Sequence, residues 1–218
     1  MHFLSHFFVE QVEQGPYFTL GLIMPDLTTS FSKYYNSTIS KSPAPEQEKL
    51  RFIHKGILQH YAGDKWFHQS AAFNDAVTQS IHHFSQAGLN RNRLRLSVIA
   101  HLTIEMMIDR QIILTQPELC DTFYLEVNRV EEDVIDDFFT HYKLHIVKNN
   151  FLPKFQFFRQ RKYLYLFTEL ENLIVGLNRI YGSVTKIEFT NAEKTMLLAA
   201  LHNIDNELRY SWQEILKR

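Results

Sequence analysis

The chain has 218 residues, of which 45% are hydrophobic and 22% charged, so a packed globular core is expected, in one large domain or two small ones. A net charge of −1 offers no whole-molecule field for nucleic acid, and a single cysteine, Cys120, excludes an internal disulfide and any cysteine-based zinc cluster. Seven glycines argue against phosphate-cradling loops and turn-dense β folds, whereas eighteen phenylalanines and ten tyrosines make the chain unusually aromatic.

Helical periodicity dominates from the start. Residues 3–14 form a short amphipathic segment ended by Gly15-Pro16. The opening MHFLSHFFVEQVEQ lacks a basic leader and a small-residue cleavage site, and no apolar run reaches the roughly 18 residues of a membrane span. A cytoplasmic protein that contacts neither membrane nor nucleic acid is therefore expected. Residues 17–35 contain GLIMPDL, where Pro25 is expected to break a helix or to start one at Asp26. Residues 36–46, NSTISKSPAPE, read as an exposed loop too short for a clear linker. Long helices follow over about 48–68, 73–84 and 93–114, with Gly88 and Asn90 as punctuation and Pro117 as a stop.

The second half reads as helices over roughly 122–147, 155–181 and 190–216, the last opened by Thr190 with Glu193 three residues on, or by Asn191. YLYLF and KIEF could pair as strands in isolation, but their flanks are helical. The expected fold is one all-α domain over 1–218, a bundle of about 7–9 helices. Residues 1–115 would be its metal-site half and 120–218 its helical C-terminal half.

The chemistry concentrates at His60-x-x-x-Asp64 and His101-x-x-x-Glu105. On a helix, residues four apart leave the same face one turn apart. Imidazole nitrogen and carboxylate oxygen are ligands for zinc, manganese and iron. Eleven histidines among 24 acidic residues in 218 should give about one such match by chance, and the chain has three, counting His6/Glu10. Both stripes continue to the eighth residue, to His68 and to Asp109. The ends of each stripe lie about 12 Å apart along the axis, too far for one ion with bonds near 2 Å. Either one ion binds the middle of the stripes, or two ions share them. His60, Asp64, His101 and Glu105 thus rank first, with His68 and Asp109 as outer-shell or second-ion candidates. The competing reading is a set of buried histidine–carboxylate pairs that tie helices together without metal.

Other signatures are absent: there is no H-E-x-x-H, no His-Asp dipeptide, no G-x-S-x-G and no P-loop. His82, His83, His141, His145 and His202 have no acidic residue four positions on and read as surface or packing residues, with His54 at most a flank of the site. Cys120 reads as a structural thiol. Two basic stretches stand out, Arg91/Arg93/Arg95 and Lys154/Arg159/Arg161/Lys162, the second interleaved with Phe155, Phe157, Phe158 and Tyr163. They would either dock an acidic or phosphate-bearing partner or snorkel over core aromatics.

Four blocks, in order and spacing, resemble the acyl carrier protein phosphodiesterase family: MHFLSHFF, LGLIMPDL, GILQHYAGDKWFH and the segment around His101. The likeness covers roughly residues 1–112. GLIMPDL and the paired helices are also similar to zinc-dependent phospholipase C-like proteins. The resemblance implies an all-α phosphodiesterase related in logic to HD-type hydrolases, with manganese as its usual ion. Such an enzyme releases phosphopantetheine from holo acyl carrier protein. Carried over by position, the resemblance points to His6, Asp26, His60, Asp64 and His101 as ion ligands, with Glu105 as an alternative to His101. Asp64, Glu105 and Asp109 are the carboxylates considered for catalysis, Glu105 or Asp109 as general base. The basic aromatic stretch would face the acidic carrier protein. The chain departs from the pattern at Leu22 (for Asn), Tyr61 (for Arg), His68 (for an acidic residue) and Ala100 (for Asp). These departures raise a second possibility, a metal-binding or protein-interaction module that keeps the scaffold without the reaction.

Overall fold

The computed structural model describes residues 1–10, 15–28 and 38–218. The helices are α1 (Phe3–Val9), α2 (Pro16–Leu27), α3 (Glu48–Gln69), α4 (Ala71–Gln86), α5 (Leu96–Thr115), α6 (Pro117–Asn128), α7 (Glu132–His141), α8 (His145–Arg161), α9 (Leu170–Thr185), α10 (Asn191–Leu208) and α11 (Trp212–Ile215), with a 3₁₀ segment at Tyr163–Thr168. No strand occurs among the described residues, so the fold is all-α, and YLYLF and KIEF are not strands. No helix among them is long and apolar enough to cross a membrane.

Two compact units form: Met1–Lys65 with Glu118–Tyr163, and Trp66–Pro117 with Leu164–Arg218. Each combines a stretch from before and a stretch from after the Pro117–Glu118 step. In the first unit the aromatic composition becomes a core. Phe3 meets Phe158 with ring centroids 4.8 Å apart, Phe7 meets Phe123 at 5.4 Å, and α7 packs on α8 through Phe139 and Phe151 at 5.4 Å. These edge-on and tilted contacts are the favoured aromatic geometries.

Two glycines set the approach of α2 to α3. A Cβ on Gly21 would lie 2.2 Å from the Ile53 carbonyl oxygen, and one on Gly56 would lie 2.3 Å from that of Phe18. Only hydrogen fits at either position, so the two backbones pass in contact. In the second unit α5 is the central rod, with fourteen of its twenty residues buried. A helix enclosed on nearly all sides must pair every polar group it carries. Arg110 Nε and Nη2 donate to Asp205 Oδ1 and Oδ2 at 3.0 and 3.2 Å, and Gln111 Nε2 donates to Oδ1 at 2.6 Å. Arg110 also donates to the Phe167 and Thr168 carbonyls.

Several boundaries differ from the sequence reading. Pro25 neither breaks nor starts a helix; α2 runs through it to Leu27. Proline forfeits the bond to the carbonyl four residues back, Gly21 here, and packing retains the helix. The 122–147 span is divided between α6, α7 and the start of α8. Glu131, Glu132 and Asp133 open α7, where acidic groups complement the helix dipole, and Lys143 turns left-handed after it (φ 55°). The 155–181 span is interrupted at Lys162 (φ 46°), and Leu164 and Phe167, three apart, bury one side of the 3₁₀ turns. Residues 38–41 of the predicted loop are helical. The predicted features at 11–14 and 29–37 lie outside the described residues. Thr190 caps α10 in a reciprocal box with Glu193.

Candidate metal centres

The first unit gathers His6 from α1, Asp26 from α2, and His60 and Asp64 from α3. One donor atom each from His6, Asp26 and His60 lies within 4.8 Å of the other two. His60 Nε2 is 3.3 Å from Asp64 Oδ2 and 3.8 Å from Asp26 Oδ1, and His6 Nε2 is 3.1 Å from Asp64 Oδ1. The two imidazoles stack with centroids 4.1 Å apart. Asp64 Oδ1 also receives the Met1 α-amino group at 2.7 Å.

Protonation logic makes this group informative. His60 Nδ1 lies 2.7 Å from the Leu22 carbonyl oxygen. That oxygen can only accept, so Nδ1 carries a hydrogen, and Nε2 presents its lone pair whenever the ring is neutral. Nε2 faces two carboxylates, an arrangement that calls for a positive centre, either a proton on Nε2 or a cation. His6 is fully buried, and neither of its ring nitrogens has an aligned hydrogen-bond partner; nor does the buried Asp26 Oδ2. Buried polar atoms are almost always paired, so orphans converging on one point fit a cation. Histidine nitrogen mixed with carboxylate oxygen suits manganese, iron or zinc.

The electrostatics of the metal-free group distinguish the two histidines. Burial, then the neighbouring His60, lowers the His6 pKa to about 3, which keeps the ring neutral and able to ligate. Burial raises Asp26 to about 6. Burial would lower His60, but Asp26 and Asp64 outweigh it and raise the pKa. Burial would raise Asp64, but the imidazoles of His6 and His60 outweigh it and hold the carboxyl far below its ordinary range. Tyr61, in the position where the resemblance has arginine, is neutral: burial and then Asp26 and Asp64 push its phenol up.

Local sequence explains the placement. GLIMPD and GILQH each begin on a crossing glycine and end on a ligand. The close passage of Gly21 by Gly56 brings the backbone carbonyl of Leu22 within reach of His60. Gly63 leaves room for Met1: a Cβ there would lie 2.8 Å from Met1 Cε, and at 3.5 Å it would make an ordinary contact with His6 Nδ1.

The second unit holds another group, His68 from the last turn of α3 with His101 and Glu105 from α5. His68 Nε2 is 2.8 Å and His101 Nε2 3.3 Å from the same oxygen, Glu105 Oε1. The ion ligands expected from spacing and resemblance thus fall into two groups, His6, Asp26, His60 and Asp64 in the first unit and His101 and Glu105 in the second. His68, ranked as outer-shell, touches Glu105 directly, and Asp109 is fully buried and belongs to neither group. The i, i+8 stripe from His60 had signalled His68, but spacing alone could not say which partner it meets.

Other residues acquire definite roles. His83 Nε2 pairs with Glu207 Oε1 at 2.8 Å, and His54 Nδ1 lies 2.5 Å from the Tyr142 hydroxyl. No short motif could reveal these pairs, whose partners lie 124 and 88 residues away. In the basic stretches, Arg159 pairs with Glu132 and lies over Phe155, Arg161 lies over Phe157, Lys162 lies over Tyr124, and Arg93 pairs with Glu193. No family model, curated protein or solved structure matches the chain.

Proposed function

We propose that the protein is a metal-dependent phosphodiester hydrolase of the acyl carrier protein phosphodiesterase type, with its ion held by His6, Asp26, His60 and Asp64. The observation that carries this reading is the convergence of His6, Asp26 and His60, one donor atom each within 4.8 Å of the others, with Asp64 against both imidazoles. A bound divalent ion supplies Lewis acidity toward phosphoryl oxygen and lowers the pKa of a coordinated water. The protein's own groups orient it: the Leu22 carbonyl holds the His60 ring through Nδ1, and Asp64 touches both imidazoles. Holo acyl carrier protein is the substrate the motif blocks favour.

The test is metal content by mass spectrometry together with hydrolysis of bis(p-nitrophenyl) phosphate and of holo acyl carrier protein across manganese, zinc and iron. The reading expects turnover that depends on metal and is lost in Asp64→Asn. Metal-free protein that takes up none of these ions overturns it. A second reading, a metal-holding module without turnover, is favoured by Tyr61, a neutral phenol where the pattern has an arginine. Metal uptake without any phosphodiester turnover supports that reading.

A further inference from the structure

The second unit carries a triad that the proposed reaction does not use. His68, His101 and Glu105 converge from two helices, and each presents one ligand atom within 4.8 Å of the others. Both Nε2 atoms lie against a single oxygen, Glu105 Oε1, at 2.8 and 3.3 Å. The imidazole centroids are 4.6 Å apart. Phe73 packs against both rings, at 5.3 Å from His68 and 5.1 Å from His101, and Phe67 flanks His68 at 5.5 Å. The rings are therefore held in place before any ligand arrives. Glu105 itself is nearly enclosed, its side chain 11% exposed, between the buried Ile104 and Met106. The outer side is open, with the His68 and His101 side chains 34% and 39% exposed.

We infer that His68, His101 and Glu105 form a second cation site, for a divalent ion of the zinc, cobalt or ferrous class. Two nitrogens and one oxygen match that class; magnesium and calcium prefer all-oxygen shells. Three protein ligands leave at least one position for water or an external donor, which is the pattern of open sites and not of closed structural ones. Glu105 and His101 come from one face of α5, and His68 comes from the last turn of α3. A bound ion thus cross-links residues 66–69 to the central helix of this unit.

The test uses the full-length protein, stripped of metal and titrated with cobalt and zinc, as wild type, His101→Gln and His60→Gln. The inference expects a cobalt visible spectrum and one zinc equivalent that survive His60→Gln. In His101→Gln their affinity falls by at least about the 10–100-fold that loss of a mere supporting contact costs. Magnesium in excess leaves the spectrum unchanged. Zinc binding of undiminished affinity and stoichiometry in His101→Gln overturns the inference and leaves the proposed function standing. A single wild-type equivalent lost only in His101→Gln supports the inference and removes the proposed function. Where His60→Gln fails to fold, imidazole nitrogen NMR of the wild type decides. Zinc must shift Nε2 of both His68 and His101, and unshifted signals overturn the site.

Discussion

His60 Nδ1 donates to the Leu22 carbonyl oxygen beside the crossing of Gly21 and Gly56, 2.7 Å from one atom to the other. The bond joins a ligand to the backbone of the helix that supplies Asp26. Any substitution that spreads α2 from α3 therefore disturbs the site from a distance.

Gly56→Ala tests this coupling. The new Cβ would sit 2.3 Å from the Phe18 carbonyl oxygen and 2.9 Å from Gly21 Cα, and backbone atoms cannot rotate aside. Overpacking of this kind costs about 1–3 kcal/mol. Urea unfolding should show that loss, and metal titration should show weaker binding even though no ligand has changed. Full stability and affinity in the variant would mean that the crossing is not the constraint.

Asp26→Asn separates stability from binding. In the metal-free protein the carboxylate is held ionised at neutral pH although burial raises its pKa to about 6. Removing the charge should stabilise the metal-free protein by about 1 kcal/mol and weaken divalent binding. A variant that is less stable and binds metal normally contradicts the assignment.

Acid response follows from the same two groups. His6 is lowered from 6.5 to about 3, so between these values the unfolded chain holds a proton that the folded one lacks, and stability falls as pH falls. Asp26 is raised from 3.8 to about 6, so over that window the folded state holds the extra proton and stability rises as pH falls. From pH 6 to 4 the two oppose each other. In Asp26→Asn the opposing contribution disappears, and metal-free stability should drop more steeply than in wild type, by about 1 kcal/mol per pH unit. Equal slopes for the two proteins in guanidinium titrations at each pH would refute this.

Asp205→Asn tests the second unit's interior. Arg110 would keep its charge in a buried setting with only half of its partners. Breaking such a pair costs about 3–5 kcal/mol. Thermal unfolding should move down accordingly, and Arg110→Met combined with Asp205→Leu should recover part of the loss.

Much of the fold was legible in the sequence because local chemistry decided it. Thr190 and Glu193 announced the start of α10, and apolar periodicity placed α3, α4 and α5 within a few residues. The path through Pro25 was not legible, because packing against α3 overrides the missing hydrogen bond. Among the candidate ligands, His60, Asp64, His101 and Glu105 were visible by spacing, and His6 and Asp26 by likeness of blocks. Their division into two groups was hidden, since helical spacing fixes which residues share a face and not what that face meets. The buried Arg110–Asp205 pair joins residues 95 apart and left no local signature.

Both tryptophans of the chain, Trp66 and Trp212, belong to the second unit, where Trp212 is buried and Arg218 lies over the Trp66 ring at 5.3 Å. Indole emission is consequently a reporter of one unit alone, whereas circular dichroism sums the helices of both. Comparing the two signals during denaturation reads directly whether the units melt together or in sequence. Because Trp66 stands two residues before His68, a paramagnetic ion that quenches its emission would give an optical readout of the second cation site without any label.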